Sequence, residues 1–225
     1  MPTLLETFAS YVPTTVVSRH ATTPANVAAP YSERFQAALL FADISGFTAL
    51  TERLAQRGPA GAEDLSGILN STFGQLVAII SAFGGDTVKF AGDALLAIWP
   101  VEDEDLPTMT QRAAECGLAL QATLRDTKEA AGTRLSIRIG VGAGAVVTMR
   151  LGGVYGRWEM LVAGPALLQT SAAIRQAQPG EVVLAPEAWS LVQPVCLGTA
   201  IPSDPRLEIG DWRLEINDQS PISDL

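Results

Sequence analysis

Two aspartates, Asp43 and Asp93, stand in apolar stretches of the sequence where packing has no use for a carboxylate. Asp43 follows the apolar residues 37–42, and Asp93 lies within residues 87–99, which predict two strands joined by a tight turn. If this hairpin pairs beside the first strand, the two carboxylates face each other at one end of a sheet. Two such acids can hold two Mg²⁺ ions, which activate an attacking oxygen and neutralise a leaving pyrophosphate. For either residue alone, a helix cap or a turn is an equally good explanation.

The residues after Asp43 predict a phosphate site beside the first acid. Ser45 and Gly46 are residues with which a chain turns tightly and begins a helix. The new helix presents the free N–H groups of Gly46, Phe47 and Thr48, which suit phosphate oxygens. A carboxylate next to these groups would repel a bare phosphate, so the arrangement is useful only with a cation between them. The sequence therefore predicts a site for a metal–polyphosphate complex.

The composition excludes several other classes of function. The 225 residues are 48% apolar and 17% charged, as in a globular protein, and the net charge of −9 argues against a nucleic-acid partner, which needs basic surface. His20 is the only histidine, so histidine-ligated zinc sites and Ser-His-Asp catalysis are excluded. Cys116 and Cys196 form no disulfide framework, which fits a reducing, cytoplasmic setting. We find no signal peptide and no apolar run of membrane-spanning length, and we expect no membrane partner.

Periodicity and turn residues divide the chain into one domain with two flanking segments. Residues 1–33 predict an amphipathic helical segment and a Pro-rich linker, residues 34–217 the domain, and residues 218–225 a polar tail. The acidic residues 102–105 predict a solvated loop before a helix in preference to a calcium site. The predicted strands are 37–44, the central hairpin 87–99, 135–144, 158–163, 181–184 and an edge strand at 212–216; the predicted helices are 46–57, 65–83, 107–131 and 165–178.

The strand predicted at residues 135–144 has two unusual features. Its second half is nearly free of side chains, and small residues in a strand either thin the core or let another backbone come close. Arg138 points to the opposite face from Ile137 and Ile139. It is either an ordinary surface charge or a clamp for a phosphate group.

Two segments resemble the motifs of a known family. Residues 41–48, Phe-Ala-Asp-Ile-Ser-Gly-Phe-Thr, and residues 89–94, Lys-Phe-Ala-Gly-Asp-Ala, are similar to the two metal motifs of the class III adenylyl/guanylyl cyclase catalytic domain. Within that family the chain resembles the C1-type half of soluble, bicarbonate-regulated adenylyl cyclases and bacterial relatives, from about residue 35 to residue 189. The resemblance implies an α+β fold, with a ferredoxin-like, antiparallel-rich sheet flanked by helices. It also implies active sites that form only between two such domains.

The resemblance assigns roles to individual residues. It makes Asp43 and Asp93 the ligands of two Mg²⁺ (or Mn²⁺) ions, with the Ile44 carbonyl as a further ligand. The amides of residues 46–48 would bind phosphate, and Arg138 matches a basic strand position that contacts the triphosphate of ATP. The residues at the base-recognition positions of a C2-type half are Lys89 and Leu161, of which leucine offers only packing.

One departure from the family pattern concerns the residues that act on the transition state. A catalytic C2-type half carries an asparagine and an arginine four and eight residues after a strand-end glycine. With that glycine at Gly164, the two positions hold Leu168 and Ala172, neither of which can donate a hydrogen bond from its side chain. The chain therefore resembles the metal-donating half of a pair, inactive or weak as a homodimer.

Three functions are consistent with the sequence. The first is half of an adenylate cyclase that converts ATP to 3′,5′-cyclic AMP when paired with a C2-type half. The second is a sensing or dimerisation module that binds nucleotide or bicarbonate and regulates a partner. A bicarbonate response would be weak or absent, because Thr170 and Ser171 occupy the region where soluble cyclases carry an arginine. The third is a diguanylate cyclase, suggested by Gly84-Gly85-Asp86, but its acid would be Asp86 and not the hairpin-tip Asp93.

Overall fold

The structure is a computed structural model and describes residues 30–126, 135–201 and 212–214. These ranges contain eight strands and five helices, and a short 3₁₀ turn (Val154–Gly156) joins the fourth and fifth strands. The strands are β1 (Tyr31–Ser45), β2 (Asp86–Ala91), β3 (Ala94–Pro100), β4 (Ser136–Gly152), β5 (Trp158–Ala163), β6 (Val182–Leu184), β7 (Gly198–Ala200) and β8 (Trp212–Leu214). The helices are α1 (Phe47–Ala55), α2 (Pro59–Ala82), α3 (Leu106–Asp126), α4 (Pro165–Gln176) and α5 (Pro186–Val192).

The strands form a single sheet with a ferredoxin-like centre. Their order is β2-β3-β1-β4-β6-β8-β7, and β5 pairs with the second half of β4. Neighbours among β1 to β4 are antiparallel, whereas β6 runs parallel to β4. The helices α1 and α2 connect β1 to β2, and α3 connects β3 to β4, so each crossover spans one intervening strand. The predicted α+β class and the antiparallel-rich sheet flanked by helices are confirmed.

Alternation along β1 sorts its side chains onto two faces of the sheet. Leu40 and Ile44 belong to the larger core, which α1, α2, α3 and α5 cover. Ala37 and Leu39 belong to a smaller core on the opposite face, where they pack with residues of α4 and β5. Asp43 lies on the face of Ala37 and Leu39, so its carboxylate points away from the larger core.

Two glycines of β4 let α4 lie directly on this second face. A side chain at Gly140 would meet the Ile174 nitrogen at 2.5 Å, and one at Gly142 would meet the Thr170 Oγ1 at 2.5 Å and the Ala166 carbonyl oxygen at 2.7 Å. The glycine-rich half of the predicted strand therefore serves the close approach of a backbone, and that backbone is the chain's own helix α4.

Two predicted boundaries were wrong because pairing and packing extend the elements. β1 begins at Tyr31, before the predicted strand start at residue 37 and inside the segment assigned to the linker, because residues 31–36 pair with the second half of β4. α2 begins at Pro59, six residues before the predicted start at residue 65. Proline favours the first turn of a helix, and Gly58, the residue before it, takes a positive φ of 66° as the chain turns into the helix.

The predictions for the sheet edges were also wrong in part. The hairpin 87–99 was expected to be central, but only β3 is buried, up to the half-buried Pro100 at its end. β2 lies at an edge and leaves Phe90 52% exposed. The strand predicted as an edge at residues 212–216 is β8, which pairs with β6 on one side and with β7 on the other. The predicted N-terminal segment, the end of the helix 107–131 and the polar tail lie outside the described residues.

The acidic loop caps a helix, as expected for a solvated loop. The Asp105 carboxylate accepts hydrogen bonds from the Thr108 hydroxyl at 2.6 Å and the Thr108 amide at 3.0 Å. The bond from the hydroxyl has the larger effect and the bond from the amide the next. Both hold the pKa of Asp105 below its usual value, because they favour the charged carboxylate.

Helix α2 meets the length and composition criteria for a membrane span. Its 24 residues contain an 18-residue window of mean hydropathy 1.4, and it is the one such helix among the residues described. No uninterrupted apolar run suggested this from the sequence. Leu76 and Ile80 of α2 are buried in the larger core, but only 17% of that window is buried, so most of its apolar residues do not lie in the core.

The contact between β4 and α4 predicts that one added methyl group in β4 lowers the stability of the protein. We expect Gly142→Ala to lower the free energy of unfolding by about 1–3 kcal/mol, because the new carbon overpacks a backbone contact. The matched control is Gly74→Ala on the exposed side of α2, where nothing lies within 4 Å and alanine favours the helix by up to about 1 kcal/mol. Urea unfolding of both variants measures the difference; equal stability of the two would contradict the packing described.

Candidate active site

Asp43 and Arg138 form an ion pair at the end of the two central strands. They are directly opposite each other in the β1–β4 register and so point to the same face. The Arg138 Nη2 and Nε atoms lie 2.6 Å and 2.7 Å from the same oxygen, Oδ2 of Asp43. The Asp43 side chain is 20% exposed and that of Arg138 is 41% exposed. Arg138 is therefore not an isolated surface charge, since it neutralises the carboxylate that interrupts β1.

A two-residue turn brings Asp93 to the same end of the sheet. Ala91 pairs with Ala94, so Gly92 and Asp93 form the loop of the β2–β3 hairpin, and Gly92 takes a φ of 66°. Glycine at the first loop position is typical of a type II′ turn. Asp43 is opposite Ala94, and the Ile44 N–H donates a hydrogen bond of 3.2 Å to the Asp93 carbonyl oxygen. The two predicted acids are thus brought together.

The first turn of α1 begins immediately after β1. Gly46 precedes the helix with a φ of 92°, and its carbonyl oxygen accepts the Leu50 N–H at 3.1 Å. The first N–H groups of a helix have no acceptor inside the helix, so those of Phe47 and Thr48 are available to an anion. The predicted phosphate amides therefore adjoin the predicted metal ligands.

The residues of this site fit a divalent cation that takes its remaining ligands from water and substrate. Asp43 and Asp93 supply carboxylate oxygens, which Mg²⁺ prefers, and the Ile44 backbone lies between them in the same hydrogen-bonded turn. Within the ranges given above, no group of three or more His, Cys, Asp or Glu side chains could enclose a metal. Mg²⁺ is commonly bound by one or two carboxylates together with substrate phosphates and water, which matches this donor set.

The predicted base-recognition positions form a second group. Lys89 of β2 donates to Glu159 of β5 at 3.0 Å, with side chains 48% and 69% exposed. Leu161 lies two residues after Glu159 and therefore on the same face of β5. Beneath them, Val88 and Val162 pack in the smaller core, so β5 folds over the sheet toward β2. The sequence reasoning missed Glu159, although its spacing from Leu161 was the signal that could have found it.

The α4 positions that depart from the family pattern differ in exposure, since Leu168 is at the surface and Ala172 is half-buried. Leu168 is 73% exposed, and Ala172 lies one turn further along the same side of the helix. Thr170 is fully buried on the other side, where its hydroxyl donates to the Ala166 carbonyl oxygen at 2.7 Å. Of the two residues considered for a bicarbonate pocket, Thr170 is thus committed to the core, and Ser171 is half-buried.

A buried amide that the sequence reasoning missed supports the strand of Arg138. The Gln121 Nε2 atom donates to the carbonyl oxygens of Ile137 at 2.7 Å and Glu181 at 3.0 Å. It thereby ties α3 to the start of β4, next to Arg138. Nothing in the sequence distinguishes this glutamine from a surface residue of an amphipathic helix.

The remaining reactive groups do not join the site. Burial raises the pKa of the Cys116 thiol to about 12, so it stays protonated at neutral pH. Asp86, the acid of the diguanylate cyclase alternative, is opposite Ile98 at the far end of the hairpin from Asp93. The acid of that alternative is therefore separated from the end of the sheet where Asp43 and Asp93 lie.

Comparison with known proteins identifies the family. Residues 30–203 match the model of the adenylate and guanylate cyclase catalytic domain, and the chain belongs to this family. It is 37% identical to human adenylate cyclase type 10 over 164 residues, which are 72% of this chain and 10% of that protein. It is 28% identical to an adenylate cyclase of Mycobacterium tuberculosis (strain ATCC 25618 / H37Rv) over 151 residues, or 65% of this chain and 32% of that one. The chain thus spans about a tenth of the length of the type 10 cyclases.

Solved structures confirm the fold. The adenylyl cyclase CyaB of P. aeruginosa superposes with a TM-score of 0.71 at 20% identity, covering 84% of this chain and 98% of that one. The catalytic core of a rhodopsin-guanylyl cyclase with converted specificity, solved with ATPαS, gives a TM-score of 0.70 at 18% identity over 83% and 98% of the two chains. The predicted resemblance to class III cyclases is confirmed.

The turn that carries Asp93 allows the cost of a positive φ to be measured without any steric clash of a new side chain. Nothing lies within 4 Å of a side chain at Gly92, so Gly92→Ala introduces only the strain of a positive φ, about 1–2 kcal/mol of stability. Gly92→Asn is the matched control, because asparagine tolerates this conformation and we expect a smaller loss. Equal losses in thermal or urea unfolding would show that the turn relaxes to another conformation.

Proposed function

We propose that this chain is the C1-type, metal-donating half of an adenylate cyclase, which with a complementary domain converts ATP to 3′,5′-cyclic AMP and pyrophosphate. The junction of Asp43, Asp93 and the start of α1 at one end of the sheet is the observation that carries the proposal. The relatives described above are named adenylate cyclases, which favours ATP over GTP.

In the proposed reaction, the 3′-hydroxyl oxygen of ATP bonds to the α-phosphorus and the hydroxyl proton passes to solvent. The bond from that phosphorus to the bridging oxygen of the β-phosphate breaks, and pyrophosphate leaves. Two bound Mg²⁺ or Mn²⁺ ions would activate the hydroxyl and neutralise the leaving group. Asp43 and Asp93 would hold the ions, with the Ile44 carbonyl as a further ligand. The amides of residues 46–48 and the Arg138 guanidinium would bind phosphate oxygens.

The side chains of α4 support an assignment to one half of a pair. Leu168 and Ala172 stand where the family's C2-type half has its asparagine and arginine, and neither can hydrogen-bond to ribose or to the α-phosphate. The 73% exposure of Leu168 leaves a large apolar side chain for a partner domain to cover. We therefore propose a C2-type half as the productive partner, and a homodimer as an assembly with little turnover.

A second candidate is a nucleotide-sensing dimerisation module that regulates a partner, and the same apolar residues favour it. Asp43 and Asp93 count against it, because a regulator has no need of an acid pair. Bicarbonate is a weaker proposal, since Thr170 is buried. The cytoplasmic setting also stays a proposal, supported by the free thiols of Cys116 and Cys196.

The metal assignment predicts which substitutions abolish the effect of a cation. Asp43→Asn and Asp93→Asn should each remove the gain in ATP affinity that Mg²⁺ or Mn²⁺ produces, because each deletes an anionic ligand at nearly unchanged volume. Asp103→Asn in the exposed acidic loop is the matched control and should retain the gain. Calorimetric titration with and without metal measures it. Retention of the full gain in either site variant would refute the two-metal assignment.

The half-enzyme assignment predicts little activity from the chain alone. We expect cyclic AMP production at about a thousandth or less of that of a competent pair, because each lost transition-state donor costs roughly 3–4 kcal/mol. Addition of a C2-type domain should restore turnover, and Leu168→Asn with Ala172→Arg should recover part of it in the homodimer. Leu168→Ala with Ala172→Leu controls for the loss of the exposed leucine. Robust activity of the unchanged chain would overturn this assignment.

A further inference from the structure

The ion pair between Arg138 and Asp43 joins two residues that the proposed reaction needs separately. Both short contacts of the guanidinium, 2.6 Å and 2.7 Å, fall on Oδ2 of a carboxylate that is only 20% exposed. Hydrogen bonds between charged groups are stronger than those between neutral ones, and partial burial strengthens them further. The pair is therefore a stable alternative to metal at Asp43 and to phosphate at Arg138.

Metal and arginine compete for the same carboxylate. A divalent cation that takes Oδ2 must displace two N–H donors, and one that takes Oδ1 is repelled by the guanidinium that remains on Oδ2. Once displaced, Arg138 is a cation without its partner. Its strand stays in place, because Gln121 donates a hydrogen bond to the carbonyl oxygen of the adjacent Ile137. A phosphate at the start of α1, four residues after Asp43 in sequence, would offer Arg138 a new anion.

We propose that Arg138 is a displaceable counter-ion that couples the binding of metal to the binding of triphosphate. This inference rests on the proposed function, because it takes Asp43 as a metal ligand and Arg138 as a phosphate ligand. In the free protein the ion pair engages the Asp43 carboxylate that would bind metal and the Arg138 guanidinium that would bind phosphate. Metal alone must either break the pair without giving Arg138 a new anion or bind at Oδ1 beside the positive guanidinium. Triphosphate alone must break the pair without giving Asp43 a new cation. When both bind, each residue exchanges one ionic partner for another.

A double-mutant cycle in metal-free solution tests the coupling on the full chain. ATP is titrated calorimetrically in the presence of EDTA into the unchanged protein, Asp43→Asn, Arg138→Gln and the double variant. Asp43→Asn frees Arg138 for phosphate, so we expect it to tighten metal-free ATP binding by about tenfold, the effect of one hydrogen bond to a charged group. In the Arg138→Gln background the same change should alter affinity by no more than about twofold.

The cycle separates the proposed device from simple charge repulsion. Loss of a carboxylate that merely repels phosphate would tighten binding equally in both backgrounds, and this result would overturn the inference. No gain in either background would overturn it as well. Neither result bears on the proposed function, which fails instead if the unchanged chain shows no metal-dependent gain in ATP affinity.

A second measurement remains decisive if an Asp43 variant does not fold. Binding of Mn²⁺ without nucleotide is followed by the electron paramagnetic resonance signal of the free ion. We expect Arg138→Gln to bind Mn²⁺ about tenfold more tightly than the unchanged chain. Arg57→Gln removes the same charge from an arginine that pairs with Asp64 at 2.7 Å, and should change the affinity by less than about twofold. Equal effects of the two variants would overturn the inference.

Discussion

The antiparallel register of β1 with β4 is the constraint on which the rest of the structure depends. It runs from Tyr31 opposite Arg150 to Ser45 opposite Ser136, and it sets Asp43 opposite Arg138. A slip of one residue would turn the Asp43 side chain into the larger core, because side chains alternate between the two faces of the sheet. The pairing of β3 on the other side of β1 then brings the Asp93 turn to the same end. The acids meet because three strands are in register, not because a flexible loop carries them together.

The strand β4 combines packing and chemistry on one face. Arg138, Gly140 and Gly142 alternate along that face, and the two glycines allow α4 to cover it closely. The covered stretch stops short of Arg138, whose side chain remains 41% exposed. The same alternation thus produces a tightly packed middle and an open, charged end, so a polar ligand can reach the arginine while the helix stays in contact with the sheet.

The acids and the hairpin could be predicted from the sequence, because carboxylates in apolar strands and tight turns are local signals, and the fold class followed from the resemblance to class III cyclases. The partners of the charged residues could not. Arg138 and Asp43 are 95 residues apart, and Lys89 and Glu159 are 70 residues apart, so both pairs depend on register and on the folding of β5 over the sheet. The early start of β1 was missed for a related reason. Residues 31–36 are largely exposed, and only their pairing with β4 makes them a strand.

The irregular edge strand β2 has a consequence for how other chains can attach. A straight, uncharged edge accepts a further strand by backbone hydrogen bonds, which is a route to aggregation. In β2 the pairing register shifts between Thr87 and Lys89, a bulge that breaks the regular row of backbone groups. Lys89 adds a charge at this edge, where it forms an ion pair with Glu159 of β5. Attachment at this edge by sheet extension is disfavoured, so a second domain would have to recognise the shape and charge of side chains, which makes assembly selective for a particular surface.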